Sequence, residues 1–196
     1  MCINRDKDTP LLYAVHNGDM DGCKLLLDNG ADCCIRNRAD VTTTWEAAYS
    51  DHEIVLRYLI VHGNPPLSVP SCGLVYDYIG TCAPCIYDVA HTPLCAAIHR
   101  KHFVIAELLL DAGVMMCEEQ WCWDSEWTSE INHVLTQQPS LYSRLTEALS
   151  KPPSLLHIVR HRLRRYLGQR ILTVVPLLEI PNLLKDYLAF RSLEKR

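Results

Sequence analysis

Cysteine and histidine are the side chains through which this chain could do chemistry, ten of the first and nine of the second in 196 residues. The tightest grouping is the C-x-x-C of Cys82 and Cys85, with Cys72 and His91 on either side. Four such ligands are of the kind that hold a tetrahedral structural zinc. Zinc sites of that sort bring two matched ligand pairs, and no second pair accompanies this one, so ordinary loop thiols account for it and neither metal nor other cofactor is expected. A Cys–His pair for nucleophilic catalysis needs both groups within hydrogen-bond reach in a cleft, and no local signature marks any of these residues. His16, His62 and His99 fall at helix ends or faces, where satisfied structural roles are the expectation, and Cys33, Cys34 and Cys117 are given no function. The G-x-S-x-G, phosphate-cradling G-x-x-x-x-G-K and H-E-x-x-H patterns do not occur. The chain is therefore not expected to be an enzyme, the rival being a zinc- or thiol-dependent hydrolase built on the Cys-rich loop.

The elements that would carry such residues are helical. The stretch from Ser154 to Leu188 places Leu155, Ile158, Val159, Leu163, Tyr166 and Leu167 along one stripe of a helix, at the three-and-four spacing of an apolar face. Arg160, His161, Arg164 and Arg165 fall on its other faces, expected to be solvated, and Gly168 supplies the stop. A tail of about forty residues rarely builds a core sufficient for its own stability. Its stripe must be covered by the rest of the chain or by a partner. His157 and Arg160, which flank the stripe, are read as orienting the tail against its neighbour.

Upstream the chain repeats itself. The run from Thr9, T-P-L-L-Y-A-V-H-N-G-D, is followed 33 residues later by T-T-T-W-E-A-A-Y-S-D-H from Thr42, and a third copy, T-P-L-C-A-A-I-H-R-K-H, begins at Thr92 after an insertion of 17. Leu25–Gly30 and Leu108–Gly113 match as L-L-L-D-N-G and L-L-L-D-A-G. Thr9 and Thr92 are expected to cap a first helix, with Pro10 and Pro93 at its first position, where no amide donor is missed. Leu25, Leu26, Leu59, Leu108 and Leu109 make a second helix apolar enough to bury, and Gly30, Gly63 and Gly113 permit a left-handed turn that ends it. This period and motif resemble the ankyrin repeat, which implies an all-α solenoid of stacked helix pairs over residues 1–114 with one continuous core.

Within that span Asn64 to Ala90 reads as an inserted loop or short hairpin carrying Tyr76, Tyr78 and Tyr87. Residues 115–150 read as a degenerate repeat that closes the stack, with Trp121, Trp123 and Trp127 over its end, and Lys151-Pro152-Pro153 as a stiff joint to the tail, 151–196. Ile3 and Asn4 align with the end of a preceding repeat, so the chain reads as a shortened product of a longer ankyrin protein.

The tail carries a second resemblance. Ser154, Leu155, His157, Ile158, Val159, Arg160, Leu163, Arg164, Leu167 and Gly168, in that order, resemble the first helix of a SOCS box, and Leu178, Glu179, Ile180, Pro181, Leu184, Lys185, Tyr187 and Leu188 resemble its second half. Val159 stands where the family carries Cys, and Glu179 where the family's Leu-Pro-apolar-Pro motif has its first Pro. The chain thus resembles the ankyrin repeat and SOCS box family: a small helical SOCS box following an ankyrin solenoid. That resemblance implies a substrate-recognition adaptor of a cullin-RING ubiquitin ligase. It assigns Leu155, Ile158, Val159, Leu163 and Leu167 to elongin B and elongin C, and Leu178, Ile180 and Pro181 to cullin 5, with Glu179 bearing on cullin preference. Arg36, Arg38, Tyr76 and Tyr78 are candidates for contact with an unknown protein substrate. The alternative is an ankyrin interaction module whose tail packs on its own last repeat.

Composition narrows the classes. The tail from Lys151 holds ten Lys and Arg against three Asp and Glu, whereas the first 150 residues hold nine against twenty. The tail's arginines share a helix with a complete apolar stripe and lack interleaved aromatics for base stacking, so nucleic acid is not an expected partner. No apolar run approaches bilayer length and no signal-peptide pattern opens the chain. With cysteines sitting as small apolar residues in repeats, the expectation is an intracellular protein, cytoplasmic or nuclear, with reduced thiols.

Overall fold

The computed structural model describes residues 7–38, 41–63, 65–67, 92–114, 136–151 and 153–194. Ile3, Asn4, the C-x-x-C loop, Cys72, Tyr76, Tyr78, Tyr87, His91 and the three tryptophans that were expected to cover the stack end all lie outside the described residues. The described residues are helical, with no strand among them. Three helix pairs come first: α1 Pro10–His16 with α2 Met20–Asp28, α3 Thr43–Tyr49 with α4 Glu53–Tyr58, and α5 Pro93–His99 with α6 Phe103–Ala112. Then follow α7 Pro139–Ser150, α8 Leu155–Leu167, α9 Ile171–Val174, α10 Asn182–Leu188 and α11 Arg191–Glu194.

Each first helix starts the same way. The Thr9, Thr42 and Thr92 hydroxyl oxygens accept from the amides of Leu12, Trp45 and Cys95, satisfying one of the donors that a helix start leaves orphaned. The second copy lacks Pro but keeps its threonine cap, and α3 forms. Between the two helices of each pair one residue turns left-handed: Gly18, Asp51 and Lys101. Repeats are then tied to one another through histidine. The His52 ring bonds the His16 carbonyl and the His102 ring the Ala48 carbonyl, both at 3.0 Å. His16 itself lies 2.7 Å from Glu46 of the second repeat, and His62 stacks on Tyr58, so these histidines have structural partners.

The core runs without interruption from Leu11 and Val15 through Leu56, Leu59 and Ile98 to Leu109 and, from α7, Leu141. Each such buried side chain contributes about 1.5–3 kcal/mol. Cys23, Cys33 and Cys95 are free thiols inside it, and burial pushes the Cys23 and Cys33 thiols up to about 11 and about 12, so they behave as small apolar groups. Two expectations are corrected here. Leu25 is exposed: α2 turns Leu26 and Leu27 toward the core, and Leu25, on the adjoining face, is left in water. Gly63 is not left-handed; α4 continues through a π-helical turn, Leu59–Gly63, and a Cβ at Gly63 would meet the Cys33 sulfur, so its role is close approach between neighbouring repeats.

The second copy also stores a defect. Thr44 occupies the place of Leu11 and Leu94, is fully buried, and its hydroxyl finds no hydrogen-bond partner among the described residues. An unpaired buried hydroxyl costs about 1–3 kcal/mol. Thr44→Val, which keeps the shape and removes the orphan, is expected to stabilise the chain by about 1 kcal/mol or more, read as a rise in thermal or urea midpoint; an unchanged midpoint would count against the defect.

Candidate functional site

The tail is organised by α8, which begins at Ser154, whose hydroxyl accepts from the His157 amide at 3.2 Å, and ends at Gly168 with φ 57°. Three faces of this helix have three fates. Leu163 and Leu167, one turn apart, pack with Leu172 and Ile180 on a small tail core of Ile171, Val175 and Leu188. His157, Arg160 and Arg164, spaced three and four apart, face the stack. Leu155, Val159 and Tyr166 line the outer side; Leu155 is 76% exposed and Tyr166 87%. The apolar stripe read from the sequence is therefore divided, with Leu163 and Leu167 inside the tail, Ile158 half-buried, and Leu155 and Val159 open to solvent.

The reading of Arg164 as solvated is overturned, and Arg160 is buried beside it. Arg160 and Arg164 are only 7% and 6% exposed. Arg160 Nη2 donates to the Ala112 carbonyl at 3.1 Å, and Arg164 donates to the carbonyls of Leu188 at 3.0 Å and Ile60 at 2.7 Å. The Arg160 guanidinium lies 4.2 Å from the Tyr187 ring centre and 4.4 Å from that of Phe190, and Arg164 lies 4.3 Å from Phe190. Burial, and then the neighbouring Arg160 charge, bring Arg164 down to about 9, which leaves it charged at neutral pH. Both cations sit where carbonyls at helix ends have no partner within their own helix and where the helix dipole is negative. The sequence role given to Arg160, orientation against a neighbour, agrees with this geometry. The part of Arg164 was missed, because periodicity alone marks an arginine on a polar face as exposed.

His157 completes the junction. Burial lowers its pKa from the ordinary value of 6.5, Arg160 lowers it further, a hydrogen bond with the Gly113 backbone opposes, and His161 adds a smaller lowering. A base whose folded pKa is depressed binds fewer protons in the docked form than in the free one, so docking is fully present above 6.5 and is lost as pH falls below it. Amide exchange of residues 155–167, corrected for intrinsic rates, is expected to speed up between about pH 7.5 and about pH 5.5 in the parent chain and much less in His157→Gln. Equal acceleration in both would exclude His157 as the cause.

Beyond Gly168 the second half of the tail offers a separate surface. Leu178 and Ile180 are half-buried, Ile180 against the tail core, while Glu179 and Pro181 are exposed and Pro181 begins α10. Leu177 and Leu183, 82% and 81% exposed, are the bare leucines here and were not singled out from sequence. No spacing in the sequence separates the exposed members of the doublets Leu177-Leu178 and Leu183-Leu184 from their half-buried neighbours, because adjacent positions of a helix can share one apolar face. Arg36 and Arg38 sit exposed on either side of Asn37, whose side chain accepts from the Val41 amide at 2.9 Å and donates to Asp8 at 2.9 Å, which holds this turn. Among the described residues no group of three or more His, Cys, Asp and Glu is placed to hold a metal, and no helix is long and apolar enough to cross a membrane.

Comparison with family models agrees with this division. The ankyrin repeat model matches residues 6–38 and the SOCS box model matches residues 151–189. The two matches in one chain are those of an ankyrin repeat and SOCS box protein. Comparison with curated proteins returns no match.

Proposed function

We propose that this chain is the substrate-recognition subunit of a cullin-RING ubiquitin ligase, working in the cytoplasm or nucleus. Residues 1–114, closed by 115–150, capture a target protein, and 151–196 fasten it to the ligase. The carrying observation is that Leu155, Val159 and Tyr166 stand bare on the outside of α8 while its opposite face is docked on the stack. Three apolar side chains left in water on a helix whose Arg160 and Arg164 are engaged with the stack form the kind of row a partner groove takes. Elongin C, with elongin B, takes this row, Leu155 being its principal anchor, supported by Ile158 and Val159; Leu163 and Leu167 contribute by shaping the helix from within.

The second surface, with Leu178, Ile180 and Pro181 and the exposed Leu177 and Leu183, faces the cullin. Glu179 places a carboxylate in its middle, which bears on the choice of cullin 5. Arg36 and Arg38 belong to the target side. The chain supplies no catalytic group; it raises the effective concentration of target lysines near a charged E2. Co-expression with elongins B and C tests the assignment: the expected result is a stoichiometric complex on size exclusion and better solubility than the chain alone. A chain that is monodisperse by itself and excludes elongins would instead support a self-contained ankyrin module.

A further inference from the structure

The most unusual feature of the tail is that its inward face is cationic. Two guanidiniums are buried one turn apart, and the acceptors they reach belong to three different helices: Ala112 at the end of α6, Leu188 at the end of α10, and Ile60 in the π-helical turn that extends α4. Charge-assisted bonds of this kind are strong when water is excluded, and a planar fork can serve two acceptors at once where an ammonium would act as a single point. Around them the chain accepts local strain. Phe190 is left-handed at φ 57°, an uncommon state for a bulky residue, and this places its ring beneath both arginines. Gly113, also left-handed, leaves room for His157 and Arg160, since a Cβ there would collide with both side chains. Leu193, just past Phe190, is buried in the stack core, and its carbonyl accepts from Arg57 of α4 at 2.9 Å.

We propose that Arg160 and Arg164 are positioning residues which lock α8 to the second and third repeats as one rigid body, so that the stack, rather than the 151–153 joint, sets the direction in which Leu155, Val159 and Tyr166 are presented. The lock stands on the contacts above; only the identity of what docks on the outer row rests on the ligase reading. In that reading the pair fixes the angle between captured target and ligase scaffold.

The test is a distance distribution in the full chain, with and without elongins B and C. Dyes are attached through an unnatural amino acid at position 21, whose native side chain is fully in water, and at the exposed position 165. The parent chain is expected to give one narrow distribution; Arg164→Lys and Arg160→Gln are each expected to lose that single narrow peak while circular dichroism and amide protection of α3 and α5 hold. Phe190→Leu, which removes the ring but keeps an apolar side chain, serves as a third variant should either arginine change unfold the chain. A broad distribution in the parent chain overturns the lock, and so does a narrow one in all folded variants. Failure of the parent chain to bind elongins would sink the ligase reading and leave the distances to decide the lock.

Discussion

Leu155→Asp is expected to abolish co-purification of the chain with elongins B and C while leaving the stack as stable as before. The side chain makes little contact within the chain, being mostly in water, so folding has almost nothing to lose. Binding has much to lose. A leucine inserted fully into a groove contributes about 1.5–3 kcal/mol, and the substitution also asks the groove to desolvate a carboxylate at a further cost of several kcal/mol. Affinity should fall by about a thousandfold or more. Val159→Ala, which only trims a partly exposed neighbour, should weaken binding by about tenfold or less. Measured by calorimetry against thermal melts of the same proteins, an unchanged affinity in Leu155→Asp would remove the outer row from consideration as the docking surface.

Gly113→Ala carries the second large effect, and its interpretation is helped by a built-in control. Gly113 and Gly30 end equivalent helices with nearly the same backbone, φ 82° and 80°. A Cβ at Gly30 would meet nothing within 4 Å, whereas at Gly113 it would run into the His157 ring and the Arg160 guanidinium. Gly30→Ala therefore measures only the left-handed penalty, about 1–2 kcal/mol. Gly113→Ala adds the expulsion of the tail from its seat, for an expected total of about 2–4 kcal/mol and a drop in melting temperature of about 4–16 °C in a chain of this size. Its second signature is faster amide exchange across α8, absent from the Gly30 variant. Equal effects of the two substitutions would mean that the tail is not seated against Gly113.

The comparison of Gly113 with Gly30 also shows what a sequence discloses and what it hides. Both glycines were legible as helix ends, as were the caps at Thr9 and Thr92, because each answers a local demand: a left-handed turn, or an orphan amide three residues on. The all-α solenoid followed from the repetition of those demands at a fixed period. Gly63 was misread because its reason lies in the Cys33 sulfur of another repeat, which no local pattern announces. Leu25 was misread because the apolar character of a helix tells that one side is buried, not which neighbour is present on each side. In the tail, the three-and-four spacing located α8 but read as one stripe the leucines that the fold divides between the tail core and the outside. It also assigned Arg164 to water, since the carbonyls that hold it, at Ile60 and Leu188, lie 104 and 24 residues away in the chain.

Leu193 and Phe190 lie far along the tail in sequence yet belong to the core of the repeats. The last described helix is built into the interior of the repeats. Truncation before Phe190 would not yield an intact stack with a shortened handle: it would withdraw two keystones from the arch, and the repeats and the tail would loosen together.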